Sequence, residues 1–149
     1  MTGAELDAFL AGTHLARVAT SSSAAVPYVT PVWYEWSGGV LALVLAESRP
    51  HVANLRQNPS LAVCIDEDLR PGAGLAAGAR GVTLSGTPVL SEAVELSDTD
   101  ELVTPVFLRI AAHYLGPAFG LLESQPAEIR AARRLLVTLR PRRIVSWQS

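Results

Sequence analysis

Hydrophobic positions along the chain recur first at helical spacing and then at every second residue. Leu6, Phe9 and Leu10 share one face of the segment Thr2 to Ala11, which predicts a short amphipathic helix with Thr2 as its cap and Gly12 as its stop. From Leu15 to Thr20 the residues are small and the segment reads as a strand ending in the loop Ser21-Ser22-Ser23. Pro27 to Trp36 alternates as one strand, with Tyr28, Thr30, Val32, Tyr34 and Trp36 on one face. Val29, Pro31, Trp33 and Glu35 occupy the other. Ser37-Gly38-Gly39 marks a tight turn, and Val40 to Ala46 follows as a nearly all-apolar strand.

Beyond this meander, Pro50 suits a first helical position and Asn58-Pro59 ends what it starts, giving about two helical turns. Leu61 to Asp66 resumes strand character, Glu67 to Arg80 reads as a long flexible loop, and Gly81 to Leu90 alternates again with Pro88 at an edge or bulge. The acidic run Ser91 to Glu101 is a solvated connection or a first helical turn. Thr104-Pro105 opens a helix that Gly116-Pro117 closes, with Val106, Ile110 and His113, or Phe107, Ile110 and Tyr114, on its face. A helical piece from Ala127 to Arg134 precedes a strand at Leu135 to Leu139, which Ile144 to Trp147 completes or extends. Six or more strands in consecutive order argue against alternating βα units. The fold class is mainly β: a small antiparallel barrel with flanking helices, one domain over residues 1–149.

Composition narrows the chemistry. At 49% hydrophobic and 17% charged, the 149 residues can bury a core, which excludes a disordered chain. The formal charge of −2 supplies no basic field for nucleic acid. All 12 basic side chains are arginine, so neither a Schiff-base lysine nor a P-loop lysine is available. Cys64 is the only cysteine, which removes disulfides and thiolate-rich metal sites, and it reads as a small apolar core residue. His14, His51 and His113 form no local ligand pair. The N-terminus shows no signal-peptide pattern and no apolar run approaches a membrane span, so a soluble cytoplasmic protein is expected.

No triad or metal-spaced cluster stands out. The physical candidate is the start of the helix at Pro50, where the positive dipole end and Arg49 together suit a phosphate. A solvated arginine is the alternative at that position.

The run Pro27-Tyr28-Val29-Thr30-Pro31-Val32-Trp33-Tyr34-Glu35-Trp36, the glycine turn and the strand Val40 to Ala46 lead into Ser48-Arg49-Pro50-His51-Val52-Ala53-Asn54-Leu55-Arg56-Gln57-Asn58-Pro59. In this order they resemble the pyridoxamine 5′-phosphate oxidase-like split β-barrel family, and within it the branch of short oxidoreductases that use FMN or the deazaflavin coenzyme F420. His113-Tyr114-Leu115-Gly116 and the ending Leu135 to Trp147 are similar to later elements of that branch.

The resemblance implies a homodimer with two cofactors at the subunit interface and a hydride passed to or from a small, apolar or conjugated substrate. Thr30, Pro31, Val32 and Trp33 would line the flavin ring; Leu45, Ala46 and Glu47 would contact it from the next strand; Arg49 would hold the phosphate. His51 stands where many relatives have lysine, a departure that opens weaker binding, another cofactor or none. A protein that carries or sequesters flavin or haem without turnover, and a barrel that serves only for dimerisation or partner contact, are the competing readings. Tyr34, Tyr114 and His113 become proton-donor candidates only if they face the ring. Period 2 equally suits Trp33, Tyr34 and Trp36 to core and interface. Asn54 reads as structural, His113 as a satisfied, partly buried histidine, and Arg130, Arg133 and Arg134 as a solvated helix face.

Overall fold

The computed structural model describes residues 1–67 and 78–148. Helix α1 (Gly3–Leu10) begins with a reciprocal cap: the Thr2 hydroxyl accepts from the Glu5 amide, and the Glu5 carboxylate accepts from the Thr2 amide at 2.7 Å. Strands β1 (Ala16–Ser21), β2 (Pro27–Val32), β3 (Glu35–Ser37) and β4 (Val40–Ala46) follow, then α2 (Pro50–Gln57) and β5 (Leu61–Asp66). Next come β6 (Arg80–Gly86), β7 (Val89–Leu90), α3 (Val103–Leu115) and α4 (Ala127–Ala131), before β8 (Arg134–Leu139) and β9 (Arg143–Gln148) close the chain. The strands form two antiparallel sheets, ordered β2-β1-β5-β6-β9 and β3-β4-β8-β7. This is the split barrel with flanking helices.

The β3–β4 hairpin shows how locally the sequence acts. Ser37 pairs with Val40, which leaves Gly38 and Gly39 as a two-residue loop with φ of +57° and +75°. Both values are costly for residues with a Cβ, and together they match the right-handed twist of the strands. The apolar run of β4 has a different cause. Leu41, Leu43 and Leu45 point into the barrel beside Leu135, Val137 and Leu139 of β8. Ala42 and Leu136, on the opposite face, lie under Val103, Val106 and Ile110 of α3. A sheet covered on both sides cannot show polar alternation.

Several boundaries differ from the sequence expectation. Pro27 to Trp36 is two strands, because the chain crosses between sheets at Trp33-Tyr34 while Tyr28, Thr30, Val32 and Tyr34 keep facing inward. Gly81 to Leu90 likewise divides into β6 and β7 in different sheets, with the buried Pro88, which cannot donate to a ladder, between them. Ile144 to Trp147 does not extend the preceding strand; it pairs with β6 in the other sheet.

Helix α3 starts before Thr104: the Asp100 carboxylate accepts from the amides of Leu102 and Thr104, doing the capping assigned to threonine. α4 ends at Ala131, and the strand begins at Arg134. Segment 91–101 is more than a solvated connection, since Ala93 and Leu96 are buried and Val94 bridges to Arg134. Arg134 is buried rather than part of a solvated face; its guanidinium donates to the carbonyls of Ile129 and Ala132, ending α4, and lies 5.1 Å from the centre of the Phe107 ring. Cys64 alternates to the outer face of β5 and is only half-buried. Most of the expected loop from Glu67 to Arg80 lies outside the described residues. No helix among the described residues is long and apolar enough to cross a membrane.

Candidate functional site

Where the barrel is split, two strand edges have no neighbouring strand among the described residues. β2 is the edge of its sheet and, among the described residues, pairs with β1 alone. β3 ends its pairing opposite Ala42, so residues 43–46 of β4 have β8 on one side and, among the described residues, no strand on the other. These open edges border a groove of about 330 Å³, walled by Thr30, Pro31 and Val32 on one side and Val44, Leu45 and Ala46 on the other. Tyr28, Arg49 and His51 gather at its end. Backbone donors and acceptors at a strand edge can hold a flat polar ligand as they would a further strand.

The end of the groove is built by α2. Val52 and Leu55 of this helix are buried in the barrel core, and His51 shares their face, one turn before Leu55. Two amides pin the helix to β1: Asn54 Nδ2 donates to Thr20 Oγ1 at 3.1 Å and Asn58 Nδ2 donates to Ser21 Oγ at 2.8 Å. The positions of Arg49 and His51 against β2 are therefore fixed by contacts outside the groove.

His51 is the anomaly of the site. It is 5% exposed, and neither ring nitrogen has a hydrogen-bond partner among the described residues. Burial, and then the Arg49 charge, hold its pKa below the usual histidine value, so the imidazole is neutral at pH 7. Leaving a buried polar group unpaired costs about 1–3 kcal/mol, a cost that a ligand accepting from this ring removes. Arg49, exposed at the helix N-cap, forms no ion pair among the described residues. Pro50 brings no N–H and the Val52 amide bonds back to Arg49, so side chains rather than helix amides dominate this end. A guanidinium with free donors beside an unsatisfied imidazole fits a phosphate-sized anion.

Seven of the nine residues expected at the site, Thr30, Pro31, Val32, Leu45, Ala46, Arg49 and His51, line this one groove. The other two lie outside it. Trp33 points away, 40% exposed, and stacks on Tyr114 with ring centres 5.0 Å apart. Glu47 turns to α2 and the segment before β8, accepting from Arg133 at 2.9 Å and from Arg56 at 3.0 Å, and those bonds lower its pKa. Tyr28 and Val44 line the groove without having been expected. Tyr28 carries a signal, since it shares the inward parity of Thr30 and Val32.

None of the three conditional proton donors lines the groove. Tyr34 is buried in the barrel core with its hydroxyl unpartnered. Tyr114 spends its hydroxyl on the His14 carbonyl. His113 is exposed on α3 rather than partly buried, beside a separate cleft of about 220 Å³ bordered by Trp36 and the Glu35–Arg109 ion pair. Among the described residues no cluster of three or more His, Cys, Asp or Glu could hold a metal ion.

Solved structures share this architecture. A conserved hypothetical protein of Mycobacterium tuberculosis is 22% identical with a TM-score of 0.75, covering 99% of this chain and 84% of its own. The haem storage protein HutZ of Vibrio cholerae is 15% identical with a TM-score of 0.67, covering 96% and 92%. An F420 reductase is 19% identical with a TM-score of 0.62, covering 93% and 94%. At these identities the likeness establishes the fold. No curated protein matches the chain. The sequence itself goes further: the family model for pyridoxamine 5′-phosphate oxidase matches residues 2–148, nearly the whole chain, and the protein belongs to that family.

Proposed function

We propose that the groove binds FMN or coenzyme F420 and that the chain is a cytoplasmic oxidoreductase passing a hydride to or from a small apolar or conjugated substrate. The observation that carries this reading is the buried, unpartnered His51 imidazole beside the free Arg49 guanidinium, at the end of a slot between two open strand edges. Those two side chains are suited to the phosphate. The edges of Thr30–Val32 and Val44–Ala46 are suited to the planar ring, whose polar rim needs donors and acceptors. When bound, the cofactor supplies the redox chemistry; the chain supplies orientation and a dry wall. The half-buried Tyr28 ring, its centre 6.1 Å from that of His51, also borders the slot.

A homodimer accompanies this reading. The outer face of the five-stranded sheet carries Ala19, Ala62, Cys64 and Thr83 near its middle, with Val29 and Val145 exposed toward its edges. Around the Arg17–Asp66 ion pair on the same face, these small and apolar positions suit a second copy of the chain, and β2 borders both that face and the groove.

Absorbance of the purified protein, followed by titration with FMN, F420 and haemin, tests the proposal. Saturable binding of FMN or F420 supports it. A Soret band that Arg49→Ala leaves intact and His51→Ala abolishes moves the chain to haem carriage, and binding of none of the three defeats the reading.

A further inference from the structure

Building on the cofactor reading of the groove, we propose that His51 is a proton-coupled reader of phosphate charge: it takes up one proton from solvent when a phosphate monoester docks beside Arg49. Four observations converge on this. The imidazole is buried and lies beside the Arg49 charge, so without an anion the neutral form is favoured. Both nitrogens lack partners, so neither proton state is locked by the protein. It lines the groove next to Arg49, the one charged side chain among the described residues of the lining. Among the described residues no carboxylate lines the groove.

On the elements packed against α2, the groups facing this side are few. β2 contributes Tyr28, and β1 contributes Thr20, which is engaged by Asn54. Arg17 of β1 lies on the outer face, bonded to Asp66. Glu47, beyond β4, is held by Arg56 and Arg133. With none of the described carboxylates facing the ring, the counter-charge that protonates His51 arrives with the ligand.

The proton balance is simple. Neutral imidazole plus one solvent proton gives imidazolium, and that ion donates to a phosphate oxygen; no covalent bond forms or breaks. A phosphate monoester is largely a dianion above its second pKa of about 6, so one fixed arginine leaves a charge that the imidazolium neutralises. A lysine at this position would bring its charge permanently and would show no such coupling near neutrality.

Calorimetric titration of the full-length protein with FMN, in buffers of different ionisation enthalpy at pH 7.5, counts the protons taken up. Riboflavin serves as the phosphate-free control. Uptake approaching one proton with FMN and none with riboflavin is expected. The FMN Kd should rise with pH between 6.5 and 8.5, toward tenfold per unit. His51→Lys should keep FMN affinity and flatten that dependence, and His51→Gln should lose the proton uptake. Wild-type FMN affinity that ignores pH, or uptake unchanged in His51→Gln, overturns the inference while leaving the cofactor reading intact. Failure to bind FMN at pH 6.5 also overturns it, and F420 binding in the same protein would show that the cofactor reading survives. Failure to bind either removes both.

Discussion

The Tyr114 hydroxyl donates to the backbone carbonyl of His14, 100 residues earlier, at 2.5 Å. This bond ties the last turn of α3 to the connection between α1 and β1, so the helix that covers the second sheet is anchored to the start of the first. Burial pushes the Tyr114 phenol up to about 12. Because the folded protein holds this proton more tightly than the unfolded chain does, the stability it contributes is intact below pH 10 and is lost as the pH rises toward 12. Tyr114→Phe should cost about 1 kcal/mol at neutral pH and blunt the alkaline loss. Urea denaturation at pH 7 and pH 11 reads both effects, and an unchanged midpoint at pH 7 would contradict the role given to the bond.

Tyr34 presents the opposite case. It is 2% exposed, its hydroxyl has no partner among the described residues, and burial raises its pKa. Removing an unsatisfied hydroxyl while keeping the ring spares a desolvation cost, so Tyr34→Phe should match or exceed the wild type in stability. Thermal melts of the two proteins decide this; a loss greater than about 1 kcal/mol would reveal a partner for the hydroxyl.

The outer face of the five-stranded sheet supplies a test of assembly. Ala62 lies in the central strand β5, opposite Ala19 of β1 and Ser85 of β6. Ala62→Arg places a charge in the middle of the proposed contact and leaves the barrel interior untouched. Sedimentation should show a dimer for the wild type and a monomer for the variant, with unchanged circular dichroism. A wild-type monomer would remove the interface.

Much of the fold was legible because its determinants are local. Gly38-Gly39 sets a hairpin that requires two positive φ values, Pro50 opens α2, and Asn58-Pro59 closes it; none depends on distant packing. The sheet switch at Trp33-Tyr34 was hidden because inward parity continues through it, so alternation cannot distinguish one strand from two. Thr104-Pro105 misled because the better cap, Asp100, acts from a segment that read only as acidic. At the site, Arg49 emerged from helix-start chemistry alone. The strand walls came from family resemblance, since no periodicity shows that β4 outruns β3 and leaves an open edge. Trp33 was assigned to that wall although its odd parity points it outward, onto Tyr114. His51 was visible as a departure from lysine, but its lack of partners depends on where β2 lies.

Paired titrations of wild-type protein and Arg49→Ala with FMN and F420 test the central claim most directly. A charge-assisted bidentate contact is worth about 1.5–3 kcal/mol, so the variant should bind the accepted cofactor roughly 10- to 100-fold more weakly, with an unchanged melting temperature in its absence. Equal affinities for wild type and variant would contradict the account, because the phosphate would then lie somewhere other than the end of the groove.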